Sequence, residues 1–213
     1  MMNSSRDHVQ RAYNAASAAY AEMFLNELDQ KPLDRELLQK FATKVEGNGR
    51  VLDIGCGPGH TTAVLHGHGL NVCGVDLSPE MIDRAEREFP GVDFEAGDFF
   101  SLNVGNSSIV GLVAFYSIVH LSPAELPDAF AEFARVLAPG SPLLLAFHVG
   151  TEVVHTEDFL ESGFSLDFTY FDPDRVVACL AECGFVEIER TQREAYESEY
   201  PSQRCYVTAR KRM

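Results

Sequence analysis

The chain has 213 residues, 46% hydrophobic and 23% charged, with a mean hydropathy of −0.09. That composition suits one buried core under a soluble surface, which excludes global disorder and disfavours two independent domains. Lys and Arg number 17 against 32 Asp and Glu, a formal net charge of −15, so nucleic acid and anionic membranes are disfavoured as partners.

The excess acid falls after residue 50, and the lone basic run, Arg210-Lys211-Arg212, reads as a solvated terminus. The apolar stretch 109–119 is interrupted by Gly111 and Ser117 and is too short for a membrane span. Residues 1–10 lack a basic start followed by an apolar stretch, so no secretory signal is expected and the expected compartment is the cytoplasm. Cys56, Cys73, Cys179, Cys183 and Cys205 are scattered and read as small buried hydrophobes.

Val9, Tyr13, Ala16, Tyr20 and Phe24 recur at helical steps and put two tyrosines on one face of a leading helix. Pro32 opens a second helix, with Leu33, Leu37, Leu38, Phe41 and Val45 as its stripe and Gly47-Asn48-Gly49 as its stop. Strands are expected at 50–55, 71–75, 92–96, 109–115 and 143–147, separated by helices at 61–66, from Ser78-Pro79 to Pro90-Gly91, and from Ser122 to Leu137. An aromatic-rich excursion follows to Phe171, then a helix at 175–183 and strands at 185–190 and 204–209. Strand-helix alternation predicts a doubly wound, mostly parallel α/β sheet with ligands beyond the carboxyl ends of its strands.

The sharpest motif is Asp53-Ile54-Gly55-Cys56-Gly57-Pro58-Gly59, where a strand runs into glycines that let a ligand lie on the backbone. The third glycine comes one place too early for a dinucleotide fingerprint, and a carboxylate at Asp53 would repel a pyrophosphate yet suit a cationic amine or sulfonium. Asp76 closes the next strand, positioned for a ribose diol. The expected ligand is a nucleoside without phosphates.

With DIGCGPG, the acid of VDLSPEMI, the AGDF segment and the FYSIVHL segment in that order, the chain resembles the class I S-adenosylmethionine-dependent methyltransferases over residues 45–148. The resemblance implies a Rossmann-like, seven-stranded methyltransferase fold in one domain. It would comprise a helical lid (1–46), a cofactor-binding core (47–148), a substrate-facing insertion (149–171) and a last helix with two strands (172–213). It implies S-adenosylmethionine as cofactor, with Gly55, Cys56, Gly57 and Gly59 lining its methionine end and Asp53 helping to hold its amino group. Asp76 would take the ribose hydroxyls, Leu77 and Met81 the adenine face, and Asp98, within Gly97-Asp98-Phe99, the adenine amino group. Phe115 and Tyr116 would close the pocket, and Tyr13 or Tyr20 would reach the cofactor carboxylate, core packing being an equal alternative for either tyrosine.

The Asn/Asp-Pro-Pro-aromatic stretch of DNA amino-methyltransferases, the acidic ligands of metal-dependent catechol-type enzymes and the three-cysteine spacing of radical enzymes are not found. Residues 148–168, with an aromatic-rich excursion and the Arg204-Cys205-Tyr206 ending, resemble an actinobacterial subgroup of small-molecule methyltransferases. The excursion's Phe159, Phe164, Phe168, Tyr170 and Phe171 would either roof an aromatic-walled substrate site or form a hairpin packed on the core. His120 and His148, after the fourth and fifth strands, are candidate general bases or structural residues, and His155 would face either way. His66 and His68 read as a solvated turn, and no metal is expected.

The expected reaction is methyl transfer to an oxygen or nitrogen of a small organic molecule, catalysed mainly by alignment and exclusion of water. The protein would work as a monomer or homodimer. A nicotinamide-dependent oxidoreductase is the runner-up, opposed by the early third glycine and Asp53, and a cofactor-binding protein without transferase activity would carry the same motifs.

Overall fold

Every central strand is apolar on both faces, and the architecture follows from that. A computed structural model describes residues 4–213. Along β1 (Arg50–Ile54), β2 (Val72–Asp76), β3 (Asp93–Ala96), β4 (Ile109–Phe115) and β5 (Pro142–His148), successive side chains point to opposite faces. Leu52, Ile54, Leu112, Ala114, Leu143, Leu145 and Phe147 therefore enter one core, and Val51, Val113, Leu144 and Ala146 enter the other.

Helices cover both faces. α2 (Pro32–Lys44) and α3 (His60–Gly67) bring Leu37, Leu38, Phe41 and Leu65 to one side. α5 (Leu126–Val136) and α6 (Pro173–Glu182) bring Phe130, Phe133, Val176 and Leu180 to the other. The strand order is β3-β2-β1-β4-β5-β9-β8, the first five parallel, with β9 (Arg204–Lys211) antiparallel to β5 and to β8 (Phe185–Arg193). This is the expected doubly wound, mostly parallel seven-stranded sheet. Among the described residues no helix is long and apolar enough to cross a membrane.

Two elements lie over the carboxyl ends of the strands. α1 (Ser4–Phe24) begins earlier than its tyrosine stripe predicts. The insertion after β5 is a separate antiparallel hairpin of β6 (Val153–Thr156) and β7 (Leu166–Thr169). α1 and the hairpin share a small core in which Ala12, Ala16, Phe159 and Leu166 are buried and Tyr13, Tyr20 and Phe168 are half-buried. The hairpin packs against α1 through this shared core.

Two of the shifted boundaries have a clear physical cause. The Ser122 N–H and hydroxyl both donate to the Glu125 carboxylate, at 2.9 and 2.7 Å, but this closes a turn, and α5 starts only at Leu126 with Pro127 in its first turn. β8 runs on to Arg193 because its far end pairs with β9, information that lies outside its own pattern.

Phe147 is fully buried and meets Phe171 edge-on at 6.2 Å between ring centres. Phe147→Ala is expected to cost about 3–5 kcal/mol in equilibrium denaturant unfolding.

Candidate active site

The chain leaves β1 through a tight glycine turn. Gly55 has φ +70°, and a Cβ there would lie 2.3 Å from the Ser117 Cβ, so only glycine lets the end of β1 pass the end of β4 so closely. Asp76, at the end of β2, ties this turn down by accepting from the Gly57 N–H and the Ser78 N–H, both at 2.8 Å. Beside it Tyr116 leaves β4 with φ +52°, an uncommon left-handed conformation for an aromatic residue. Gly55, Gly57, Asp76, Leu77, Gly97, Asp98, Phe99, Phe115, Tyr116 and Ser117 line one cleft, together with Tyr13, Tyr20 and His120.

α1 is fastened over this cleft by polar side chains at helical spacing. The Arg6 guanidinium donates to Asp98 at 2.6 Å and lies 4.1 Å above the Phe100 ring. Gln10 donates to the Leu77 carbonyl, and Asn14 accepts from the Ser78 hydroxyl, both at 2.7 Å. Sequence reasoning followed the tyrosine face of this helix and missed Arg6, Gln10 and Asn14, whose own i, i+4, i+8 spacing marks a second, polar face.

A larger chamber of about 700 Å³ adjoins the cleft, walled by aromatic rings that include Phe24, Phe159, Phe168 and Tyr170, with His148, Glu27, Lys31, Glu199 and Arg204. Tyr13, Tyr20 and Tyr116 line both spaces, so three tyrosines form the neck between them. Beneath the chamber, fully buried Asp34 accepts from the Tyr206 hydroxyl at 2.8 Å and from Arg193 at 3.0 Å. Glu199 accepts twice from Arg193, at 2.5 and 2.9 Å, and from the Tyr196 N–H at 2.8 Å. Burial alone would raise the Glu199 carboxyl, but these donors and nearby Lys31 pull it down to about 2. None of Asp34, Arg193 and Glu199 carried a motif; their roles follow from contacts distant in sequence.

The two candidate bases differ in their surroundings. The His120 Nδ1 faces the Asp167 carbonyl at 2.9 Å, so it carries the proton and donates it, leaving Nε2 to accept from the Tyr13 hydroxyl at 2.7 Å. His148 lies in the larger chamber, stacked on Tyr170 at 5.0 Å with its Nδ1 2.7 Å from the Ser202 hydroxyl. Burial pushes both imidazoles down to about 4, in His148 with added repulsion from Arg204, Lys31 and Arg193. Burial, with Asp76 adding, holds the Tyr13 hydroxyl well above the usual phenol range. His155 lies outside both cavities, paired with Asp167 at 2.6 Å.

Four expected cofactor contacts lie behind the cleft wall. Asp53 shares strand parity with Val51, so its carboxyl points under α3, where it accepts from the Thr62 hydroxyl at 2.7 Å and is 1% exposed. The Cys56 side chain tucks against Gly74 of β2. Gly59 caps α3 beneath Phe94. Met81 is held by the Ser78 cap of α4 (Pro79–Glu88), where it is buried on that helix's inner face with Ile82 and Ala85. The remaining expected residues come together around the cleft and chamber. The Tyr13 hydroxyl, expected to reach a cofactor carboxylate, is instead engaged by His120.

Residues 51–140 match the family model described as a methyltransferase domain. The fold also superposes on an S-adenosylmethionine-dependent methyltransferase from Methanosarcina mazei with a TM-score of 0.71, over 80% of this chain and 96% of that one at 22% identity. The chain therefore shares the fold of that methyltransferase, and its residues 51–140 resemble the methyltransferase-domain family. The chain is also 36% identical over 103 residues to an O-methyltransferase of Penicillium expansum, covering 45% of this chain and 37% of that protein. An O-methyltransferase of Pyrenophora dematioidea is 33% identical over 148 residues, 65% of this chain and 55% of that protein. The chain thus spans about a third to just over half the length of these curated relatives. A Haemonchus contortus phosphoethanolamine N-methyltransferase, solved with S-adenosyl-L-methionine, shares the fold at a TM-score of 0.74 and 17% identity, over 100% of this chain and 61% of that one.

Burial pushes the Asp53 carboxyl up to about 6, against the opposing Thr62 hydrogen bond. The folded state therefore binds this proton more tightly than the unfolded chain, so this group's contribution to stability falls as pH rises from about 4 to 6. Asp53→Asn keeps an acceptor for Thr62 and removes the buried charge. Thermal melts across pH are expected to show that slope flattened and a higher Tm at pH 8 than in the parent.

Proposed function

We propose that this protein is an S-adenosylmethionine-dependent methyltransferase that methylates an oxygen or nitrogen of a small organic molecule held in the aromatic chamber. The observation that carries this reading is the neck: Tyr13, Tyr20 and Tyr116 border both the cleft and the chamber. A ligand in each space would meet the other there. The likeness of the chain's later segments to an actinobacterial small-molecule subgroup belongs to the same reading.

The cleft residues fit the cofactor. The Ser117 hydroxyl oxygen is buried in the cleft wall with no hydrogen-bond partner, a polar group left for a ligand. Each Asp76 oxygen takes one backbone N–H and keeps a lone pair for a ribose hydroxyl. Asp98 would accept from the adenine amine once Arg6 yields, and Leu77 and Phe99 offer apolar walls. When bound, the cofactor supplies a methyl group already activated on a sulfonium.

What remains for the protein is alignment, dryness and a place for one proton. The tyrosine neck holds the acceptor atom in line and excludes water. An acceptor hydroxyl or ammonium would donate to the Tyr13 oxygen while Tyr13 donates to the His120 Nε2, which is neutral and aimed at it. His148, on the chamber wall, is the second candidate. A histidine held near 4 is already neutral well below physiological pH, so either one is ready to accept.

Calorimetry with S-adenosylhomocysteine tests the cofactor assignment. The parent is expected to bind, and Asp76→Ala to bind roughly 10- to 150-fold more weakly. No binding to the parent, or equal affinity in the variant, overturns the assignment. For turnover, release of S-adenosylhomocysteine over a panel of small phenols and amines should be flat from about pH 5 to 8, with its acid limb near 4. An unperturbed histidine would place that limb near 6.5. His120→Ala is expected to lower turnover roughly 10²- to 10⁴-fold while leaving S-adenosylhomocysteine affinity nearly intact. Unchanged turnover would remove His120 from the reaction.

A further inference from the structure

The chamber wall contains a buried guanidinium with no carboxylate hydrogen-bonded to it. Arg204, at the start of β9, is 3% exposed and lines the chamber. Its Nη1 donates to the carbonyls of Tyr200 and Ser202 and to the Ser202 hydroxyl, and its Nε has no hydrogen-bond partner. The carboxylate beside it, Glu199, approaches Nε to 3.5 Å, but its oxygens already accept from Arg193 and the Tyr196 N–H, with Lys31 at 3.2 Å. The neighbouring cations have partners of their own: Arg193 binds Asp34 and Glu199, and Lys31 binds Glu27 at 2.7 Å. Buried charges are normally both paired and hydrogen-bonded, whereas Arg204 is hydrogen-bonded only to neutral acceptors and shares Glu199 with Arg193 and Lys31 at longer range.

We infer that Arg204 anchors a carboxylate carried by the methyl acceptor, so that the chamber takes small aromatic acids bearing a hydroxyl or amine at the other end. This deepens, and rests on, the methyltransferase reading above. Arg204 lies directly across from His148 in the β5–β9 register, and the His148 ring lies 5.3 Å from that of Tyr116 at the neck. A carboxylate on Arg204 would therefore leave the far end of a one-ring molecule at the neck, between Phe168, Phe159 and Tyr170.

The charges around His148 agree: Arg204, Lys31 and Arg193 act on it as positive neighbours, opposed by Glu199. A guanidinium edge also recognises phosphate. Glu27 and Glu199 stand in the same wall and would repel a dianion more than a monoanion, which favours the carboxylate.

The test is calorimetry on the full chain, with and without S-adenosylhomocysteine, using four probes: 4-hydroxybenzoate, its neutral isostere 4-hydroxybenzamide, the cationic tyramine, and phenyl phosphate. The benzoate is expected to bind roughly 10- to 150-fold more tightly than the benzamide, as for a charge-assisted hydrogen bond. Arg204→Gln should erase that difference, and Arg204→Lys should restore part of it. Equal affinity for acid and amide, a preference for tyramine or phenyl phosphate, no binding of any probe at millimolar concentration, or a difference that persists in Arg204→Gln overturns the inference. If Arg204→Gln does not fold, the parent's ranking of the four probes decides alone. Failure of S-adenosylhomocysteine to bind would defeat the cofactor reading, while the probe ranking measured without it still judges Arg204.

Discussion

Everything at the candidate site depends on the parallel pairing of β1 with β4. From β1 the chain crosses to β2 on one side, and from β4 to β5 on the other, so the two exits diverge and leave a crevice at the carboxyl ends. Its width is set by close approach. Gly55 passes the Ser117 side chain with no room for a Cβ, and Tyr116 turns out of β4 through a left-handed backbone. The buried, two-faced sheet holds these exits rigidly, and α1 and the β6–β7 hairpin close over them.

A second constraint is the burial of charge. Asp34 from α2, Arg193 from β8, Glu199 from the loop before β9 and Lys31 at the start of α2 form one network beneath the chamber, sharing donors so that each acid has a cation. Such a network is costly to break because a partner left behind keeps its desolvation penalty. It joins segments from both ends of the chain and fixes one wall of the chamber. Arg204 stands beside it without a hydrogen-bonded carboxylate.

The same dry surroundings set the state of the histidines. Burial keeps both imidazoles neutral, but only His120 has both nitrogens engaged with named protein groups, a carbonyl on one side and the Tyr13 hydroxyl on the other. That places His120 one hydroxyl away from the neck and His148 within the chamber wall. Burial thus favours the neutral form of Tyr13 and Tyr20 as well as of both histidines.

Much of this was legible in the chain itself. Two-residue alternation and apolar runs mark the strands, glycines mark the turn after β1, and Asp76 and Asp98 announce themselves at strand ends, because each signal is local and reflects the period or the turn chemistry of its own segment. The same local reading took Asp53 for a ligand contact, although its strand parity turns it under α3. It left the fate of the aromatic insertion open, and it gave no site role to Arg6, Ser117, Lys31 or Arg204. Their roles depend on which distant segment folds against them: Arg6 on Asp98, Tyr13 on His120, Arg204 beside Glu199 and across from His148. The sequence by itself determined the sheet, its glycine turn and the acids at its strand ends. Tertiary packing alone decided which side chains face the cavities and which charge remains without a carboxylate hydrogen bond, because both are properties of contacts between segments far apart in the chain.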